Sequence, residues 1–148
     1  MKIALVSDEF HPVHNVVIDW LKDHDHQLFL FGALKSGHVE ESWVAPTAEA
    51  AHAIQTGKCQ EGIFFCWTGT GVSIVANKVP GIRAALCTDA ETARGARVWN
   101  HANVLALSNR LLSQDVAKEI LTAWFEDFDA QKGETGVDEL TAFENAVS

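Results

Sequence analysis

Residues 65–71 read FCWTGTG, a cysteine followed within a few positions by two threonines and two glycines. Backbone amides and hydroxyls in such a turn, ahead of a helix, suit a negatively charged group. Amides in that position also favour the thiolate of Cys66, which could then act as base or nucleophile. A cysteine at a strand end is just as readily a small buried apolar residue. The residues alone leave both readings open. No GK[ST] follows, as a P-loop requires, and no GxGxxG dinucleotide fingerprint is present. Trp67 stands out, because a ligand-binding turn is expected to stay slim.

Other polar groups fall at comparable places. Asp8 ends the first apolar run and could orient a hydroxyl or cap the helix that follows. Arg110 follows the last apolar run, as an anion clamp would, although a surface arginine fits equally. Trp99 and Asn100 close a helix that the pattern sets near the same sheet edge. The pairs His11/His14 and His24/His26 have spacings a metal could use, but no further ligand motif frames them. No metal site is expected. Cys59 and Cys87 lack the surroundings of Cys66 and read as structural.

The elements that must hold these residues alternate. KIALVSD, QLFLF, EGIFFCW, IRAALC and ANVLALS are short apolar runs, the signature of strands buried on both faces. Between them lie HPVHNVVIDWLKDH, a helix after Pro46 (TAEAAHAIQTG), a short helical turn SIVANKV and the helix DAETARGARVWN. The amphipathic QDVAKEILTAWFEDF follows the last strand. Residues 33–46 read as irregular, KGETG as a break, and ELTAFENAV as a terminal helix. The expected fold is a Rossmann-like three-layer α/β/α sandwich on a mainly parallel five-stranded sheet, in one domain spanning residues 1–148. Such sheets bind ligands beyond the carboxyl ends of their strands.

Composition narrows the partners. The net charge of −9 over 148 residues argues against nucleic acid or anionic membrane as the main partner. An anionic small molecule remains compatible, since a local site can be positive. No stretch resembles a signal peptide or reaches the length of a membrane span. Three cysteines without metal spacing suit a reducing cytoplasm.

The run CWTGTGVSIVANKVPGIRAALC, with Asp89 and the stretch from Asn100 to Arg110, closely resembles the type B ribose-5-phosphate isomerases and the galactose-6-phosphate isomerase subunits. The resemblance extends from KIALVSD through AKEILTAWF. It implies interconversion of aldose and ketose phosphates through an enediolate, without metal or organic cofactor. It also implies a homodimer or homotetramer with sites between subunits, and a C-terminal segment (about 130–148) at the interface. By the same resemblance Cys66 is the base. Thr68 and the amides of Gly69, Thr70 and Gly71 steady the oxyanion, and Ser73 belongs to the same motif. Asp8 and Asn100 contact sugar oxygens, Arg110 contacts phosphate, and Asn77 and Lys78 hold the loop in shape.

The departures from the family pattern are equally specific. Asp-His-Ala-Gly after the first strand is here Asp8-Glu9-Phe10-His11, and the glycine after the cysteine is Trp67. The histidine that opens the sugar ring is Trp99. The tail arginines that clamp phosphate give way to AQKGETGVDEL, which offers Lys132. Indole N–H only donates, and lysine cannot reproduce an arginine fork. Proton transfer is thus retained, while ring opening and phosphate grip are altered, with Glu9 or His11 as possible substitutes. A ring-closed pentose phosphate, the family's default substrate as ribose 5-phosphate, should be a poor substrate. An open-chain tetrose or triose-like sugar would not need the missing histidine. The alternative is a non-catalytic sugar-binding or partner subunit of a hetero-oligomeric isomerase.

Overall fold

A computed structural model of the chain describes residues 1–147. The elements run β1 (Lys2–Ser7), α1 (Pro12–Asp23), β2 (Gln27–Gly32), α2 (Ala33–Ser36), α3 (Val44–Gln55), β3 (Glu61–Cys66) and α4 (Thr70–Asn77). They continue with β4 (Ala84–Leu86), α5 (Ala90–Asn100), β5 (Val104–Ser108), α6 (Gln114–Trp124), a 3₁₀ turn (Ala130–Lys132) and α7 (Glu134–Val147). The strands pair in parallel throughout, in the order β2-β1-β3-β5-β4. This is the expected α/β sandwich.

Both faces of the sheet are covered, which is why its strands are continuous apolar runs rather than alternating ones. Ile3, Leu5, Ile63, Phe65, Leu105 and Leu107 share a core with Val13, Val17, Ile120 and Trp124 of α1 and α6. The intervening residues Ala4, Val6, Phe64, Cys66 and Ala106 share another with Ala50, Ile54, Val72 and Ala76 of α3 and α4. Each fully buried Leu, Ile or Phe is worth about 1.5–3 kcal/mol relative to an exposed one. The central strands are therefore the rigid part of the molecule.

Several boundaries differ from the sequence expectation. The irregular stretch 33–46 contains α2, which stops at Gly37 in a left-handed conformation (φ +81°). Helix α3 begins at Val44, so Pro46 lies in its first turn, where a missing N–H breaks no helical bond. The SIVANKV turn is the end of an eight-residue helix, α4, that starts at Thr70. In KGETG only Gly133 is a break. A Cβ there would run into the Val98 carbonyl oxygen, and α7 begins at the next residue.

Candidate active site

All five strands point the same way, so their carboxyl ends meet at one edge of the sheet. The chain leaves β1 toward β2 on one side, and β3 lies on the other side, so the crevice between β1 and β3 is the topological switch point. Asp8 follows β1 and Cys66 ends β3 at that crevice.

Cys66 is 8% exposed on the α4 side of the sheet. The Gly69 amide donates to its Sγ at 3.1 Å. That contact needs the left-handed backbone of Gly69 (φ +76°), and a Cβ there would approach Leu86 Cδ1 to 2.5 Å and the Leu107 carbonyl carbon to 3.0 Å. Only glycine fits. The exposed Thr68 and Thr70 hydroxyls stand 2.7 Å apart at the start of α4. Ser73 is less available, since its hydroxyl donates to the Thr70 carbonyl at 3.1 Å. Asn77 braces the edge strand instead of the site: its Nδ2 donates to Ala84 O at 3.0 Å and its Oδ1 accepts from Ala84 N at 2.8 Å.

The loops after β3 and β5 are joined. Asn109 N–H donates to Cys66 O (2.9 Å) and Arg110 N–H to Trp67 O (3.2 Å). The Ser108 hydroxyl also donates to Trp67 O, at 3.0 Å. These bonds fix the Trp67 backbone while its indole stays 54% exposed. The indole lies 5.6 Å from the His11 ring, and the Arg110 guanidinium sits 5.9 Å from its centroid. Arg110 makes no ion pair among the described residues, which leaves its charge free for an anion.

Asp8, Glu9 and His11 reach the same edge. Asp8 Oδ1 is buried without a hydrogen-bond partner, and burial pushes the carboxyl above its ordinary value. A hydroxyl donor would satisfy that oxygen. The Asp8 carbonyl accepts from Glu40 N–H at 2.8 Å, which draws the loop before α3 over β1. His11 Nε2 lies 2.9 Å from Glu9 Oε1. A cleft of about 480 Å³ opens beside them, lined by residues that include Phe10, His11, His14 and Ile18.

The histidine spacings resolve into separate duties. His11 pairs with Glu9, His14 Nε2 with Asn109 Oδ1 at 2.7 Å, and His24 Nδ1 with Trp20 O at 2.7 Å. Burial lowers the His14 pKa, so the ring is held neutral. Cys87 is equally structural, since burial pushes its thiol up to about 12.

Trp99, Asn100 and Lys132 lie elsewhere. Helix α5 runs back along the sheet, and Ala102 N–H and Asn103 N–H bond to Ala96 O and Arg83 O just ahead of β5. The end of α5 is therefore at the amino edge, opposite Cys66, contrary to the expectation that Trp99 shares the Cys66 edge. Helices in a parallel sheet return antiparallel to its strands, so a helix end and a strand end fall on opposite edges. Trp99 is 57% exposed there. Asn100 borders a groove of about 400 Å³ between β4 and α7 that also includes Arg83, Leu140 and Phe143. Lys132 lies beside Arg94, Arg97 and Glu126.

Two residues near the chemistry, Trp43 and Asn109, escaped the sequence reading. Trp43 packs over the first turn of α4, since a Cβ on Gly71 would come 2.9 Å from its ring. Nothing in the polar stretch 33–46 signals this. Asn109 forms the buried pair just described with His14, a histidine already expected to be structural; the signal for Asn109 was its place beside Arg110.

A thiol and the amide of Gly69 thus meet at the switch point of a parallel sheet. Residues 3–140 match the Ribose/Galactose Isomerase family model, and the chain belongs to that family. It is 54% identical over 76 residues to a D-erythrulose-4-phosphate isomerase from Pectobacterium atrosepticum, a match covering 51% of this chain and 50% of that protein. It is 32% identical over 149 residues to a putative sugar phosphate isomerase, YwlF, from Bacillus subtilis, covering 97% of each. The solved ribose-5-phosphate isomerase B of Clostridium thermocellum superposes with a TM-score of 0.87 at 36% identity, covering all (100%) of both chains. No helix among the described residues is long and apolar enough to cross a membrane.

Proposed function

We propose that the protein interconverts an open-chain ketotetrose phosphate, D-erythrulose 4-phosphate, and the corresponding aldotetrose 4-phosphate, with Cys66 as the base. The observation that carries this reading is the Cys66 Sγ held 3.1 Å from the Gly69 amide at the β1/β3 crevice. The thiolate takes the proton from the carbon beside the carbonyl. The C–H electron pair becomes the C=C bond of an enediolate, and the carbonyl oxygen takes up negative charge. Thr68, Thr70 and the free amides at the start of α4 face that charge, and preorganised donors of this kind are usually the largest catalytic term. Return of the proton to the neighbouring carbon, with transfer of the hydroxyl proton between the two oxygens, completes the exchange.

The choice of a tetrose rests on chemistry. In a 4-phosphorylated tetrose the oxygen that would close a five-membered ring is esterified, so the sugar is open-chain and needs no ring-opening acid. Trp99, where the resembling enzymes have histidine, then costs nothing. The indole of Trp67, where the resembling enzymes have glycine, adds bulk next to Cys66 in the chain, which favours the shorter sugar. The similarity to the Pectobacterium D-erythrulose-4-phosphate isomerase supports the same choice.

The site is completed by a second copy of the chain. Leu140, Phe143 and Val147 of α7 and the indole of Trp99 are exposed apolar surface around the amino edge. A symmetric dimer burying them would carry Trp99, Asn100 and Lys132 to the partner's Cys66 edge, where Lys132 supplies positive charge for the phosphate. The test is an assay of D-erythrulose 4-phosphate and ribose 5-phosphate with the wild type and Cys66→Ala. The tetrose phosphate should be turned over with kcat/KM at least about tenfold above ribose 5-phosphate, consistent with loss of an acid/base group. Equal turnover of both refutes the substrate choice, and full activity of Cys66→Ala refutes the base.

A further inference from the structure

Asn109 is 7% exposed, yet its amide nitrogen has no hydrogen-bond partner. A buried donor left in that state costs about 1–3 kcal/mol. The rest of the side chain is fully engaged, and its neighbours fix which way the amide faces. His14 Nδ1 lies 3.4 Å from the His11 backbone N–H and accepts from it. The proton of the neutral ring is therefore on Nε2, which donates to Asn109 Oδ1 at 2.7 Å. Turning the amide over would set Nδ2–H against Nε2–H, two donors face to face. Nδ2 is thus the unpartnered atom by hydrogen-bond logic as well as by placement.

The position of Asn109 gives that donor a meaning. Its own backbone N–H bonds to the carbonyl of Cys66 at 2.9 Å, and its chain neighbour Arg110 holds a guanidinium without an ion pair among the described residues. His14, to which its side chain is tied, packs 5.8 Å from the His11 ring, and His11 packs 5.6 Å from Trp67. A two-proton donor next in the chain to an uncommitted cation, on the loop bonded to the Cys66 carbonyl, suits an oxyanion with several acceptor oxygens. We propose that the Asn109 amide, oriented by His14, is a further binding group for the phosphoryl end of the substrate, acting beside Arg110. The inference rests on the reading of the protein as a sugar-phosphate isomerase only for the identity of the anion's carrier.

Two variants separate the donor from the packing. Asn109→Asp keeps an acceptor for His14 Nε2–H and removes the amide protons, and Asn109→Ser removes the amide altogether with a smaller side chain. Each is assayed for kcat and KM with D-erythrulose 4-phosphate, and titrated with inorganic phosphate alone by calorimetry. The expected result is a KM about 10- to 100-fold higher, a matching loss of phosphate affinity and a kcat within about threefold of wild type, the effect of one hydrogen bond to a charged group. The larger change belongs to Asn109→Asp, whose carboxylate also repels phosphate. If only one variant folds, that variant decides. Unchanged KM and phosphate affinity overturn the proposal, as does a fall in kcat at constant KM or a wild-type protein that binds no phosphate. A wild type that binds phosphate but isomerises no phosphosugar defeats the isomerase reading, and the phosphate titration then still decides the role of Asn109.

Discussion

The two edges of the sheet differ in how their functional residues are held. At the carboxyl edge Cys66, Trp67 and Asn109 are fixed by backbone bonds between the loops after β3 and β5, and the side chains above them are left with free donors, acceptors and charge. At the amino edge the partly buried charges Arg97 and Glu61 are spent on each other. Arg97 pairs with Glu61 at 3.0 Å, Trp124 Nε1 donates to the same carboxylate at 2.9 Å, and the guanidinium stacks 4.8 Å from the Trp124 ring. The first edge is poised for a ligand. The second is a rigid mount that presents Trp99, Asn100 and Lys132 outward, which is useful to catalysis only if another copy receives them.

Complementation tests that division with the largest expected effect. Cys66→Ala should lower kcat by about 10²–10⁴, the usual worth of a positioned acid or base. Asn100→Ala should weaken turnover through the other edge. When the two inactive or impaired proteins are unfolded together and refolded as a mixture, half of the dimers are mixed, and each mixed dimer has one site with both edges intact. Activity should recover to about a quarter of wild type. A mixture no more active than the sum of its components would mean that both edges serve the same chain or that Asn100 has no part in the reaction.

The amino edge can be broken without touching the chemistry. Arg97→Leu leaves the nearly buried Glu61 carboxylate with the Trp124 indole as its remaining side-chain partner. Removing one member of a buried pair costs about 3–5 kcal/mol. The urea midpoint should fall accordingly, and Glu61→Gln added to Arg97→Leu should restore part of the loss, because a neutral amide tolerates burial better. A loss under about 1 kcal/mol for Arg97→Leu would show that the pair contributes as an exposed one does.

The same contrast marks how far the sequence could be read. The five strands were legible because burial on both faces makes them apolar runs, and the TGTG turn was legible because Gly69 is the only residue type its backbone allows. The placement of Trp99 was not, because spacing along the chain says that a helix ends but not at which edge it ends. Trp43 was hidden for a related reason: its partner Gly71 is distant in sequence, and no periodicity links them. His14 drew notice only for its spacing to His11, and its neighbour in space, Asn109, lies beyond eight intervening strands and helices in the chain. Residue types announced the chemistry, and only the tertiary contacts assigned each side chain to an edge.

The smallest expected effect is a pH dependence that sharpens the account of the carboxyl edge. Burial lowers the His14 pKa below its ordinary value of 6.5, partly opposed by the bond to Asn109; His11 pushes in the same direction as burial, and Glu9 in the other. The unfolded chain therefore binds more protons than the folded one in the window just below pH 6.5, and stability rises with pH through that window. The contribution is fully present above about pH 6.5 and is lost as pH falls through the lower folded value, with a slope of at most about 1.4 kcal/mol per pH unit. His26 is also lowered by burial and adds the same sign at the amino edge. Urea unfolding between pH 7.5 and 5 should thus show a shallower fall for His14→Gln and for His26→Gln than for wild type. Loss of phosphate affinity over the same range should be blunted in His14→Gln alone, because a second proton on His14 turns Nδ1 into a donor against the His11 amide and disturbs the Asn109 contact. Equal blunting by both substitutions would detach His14 from the carboxyl edge and leave it a core histidine.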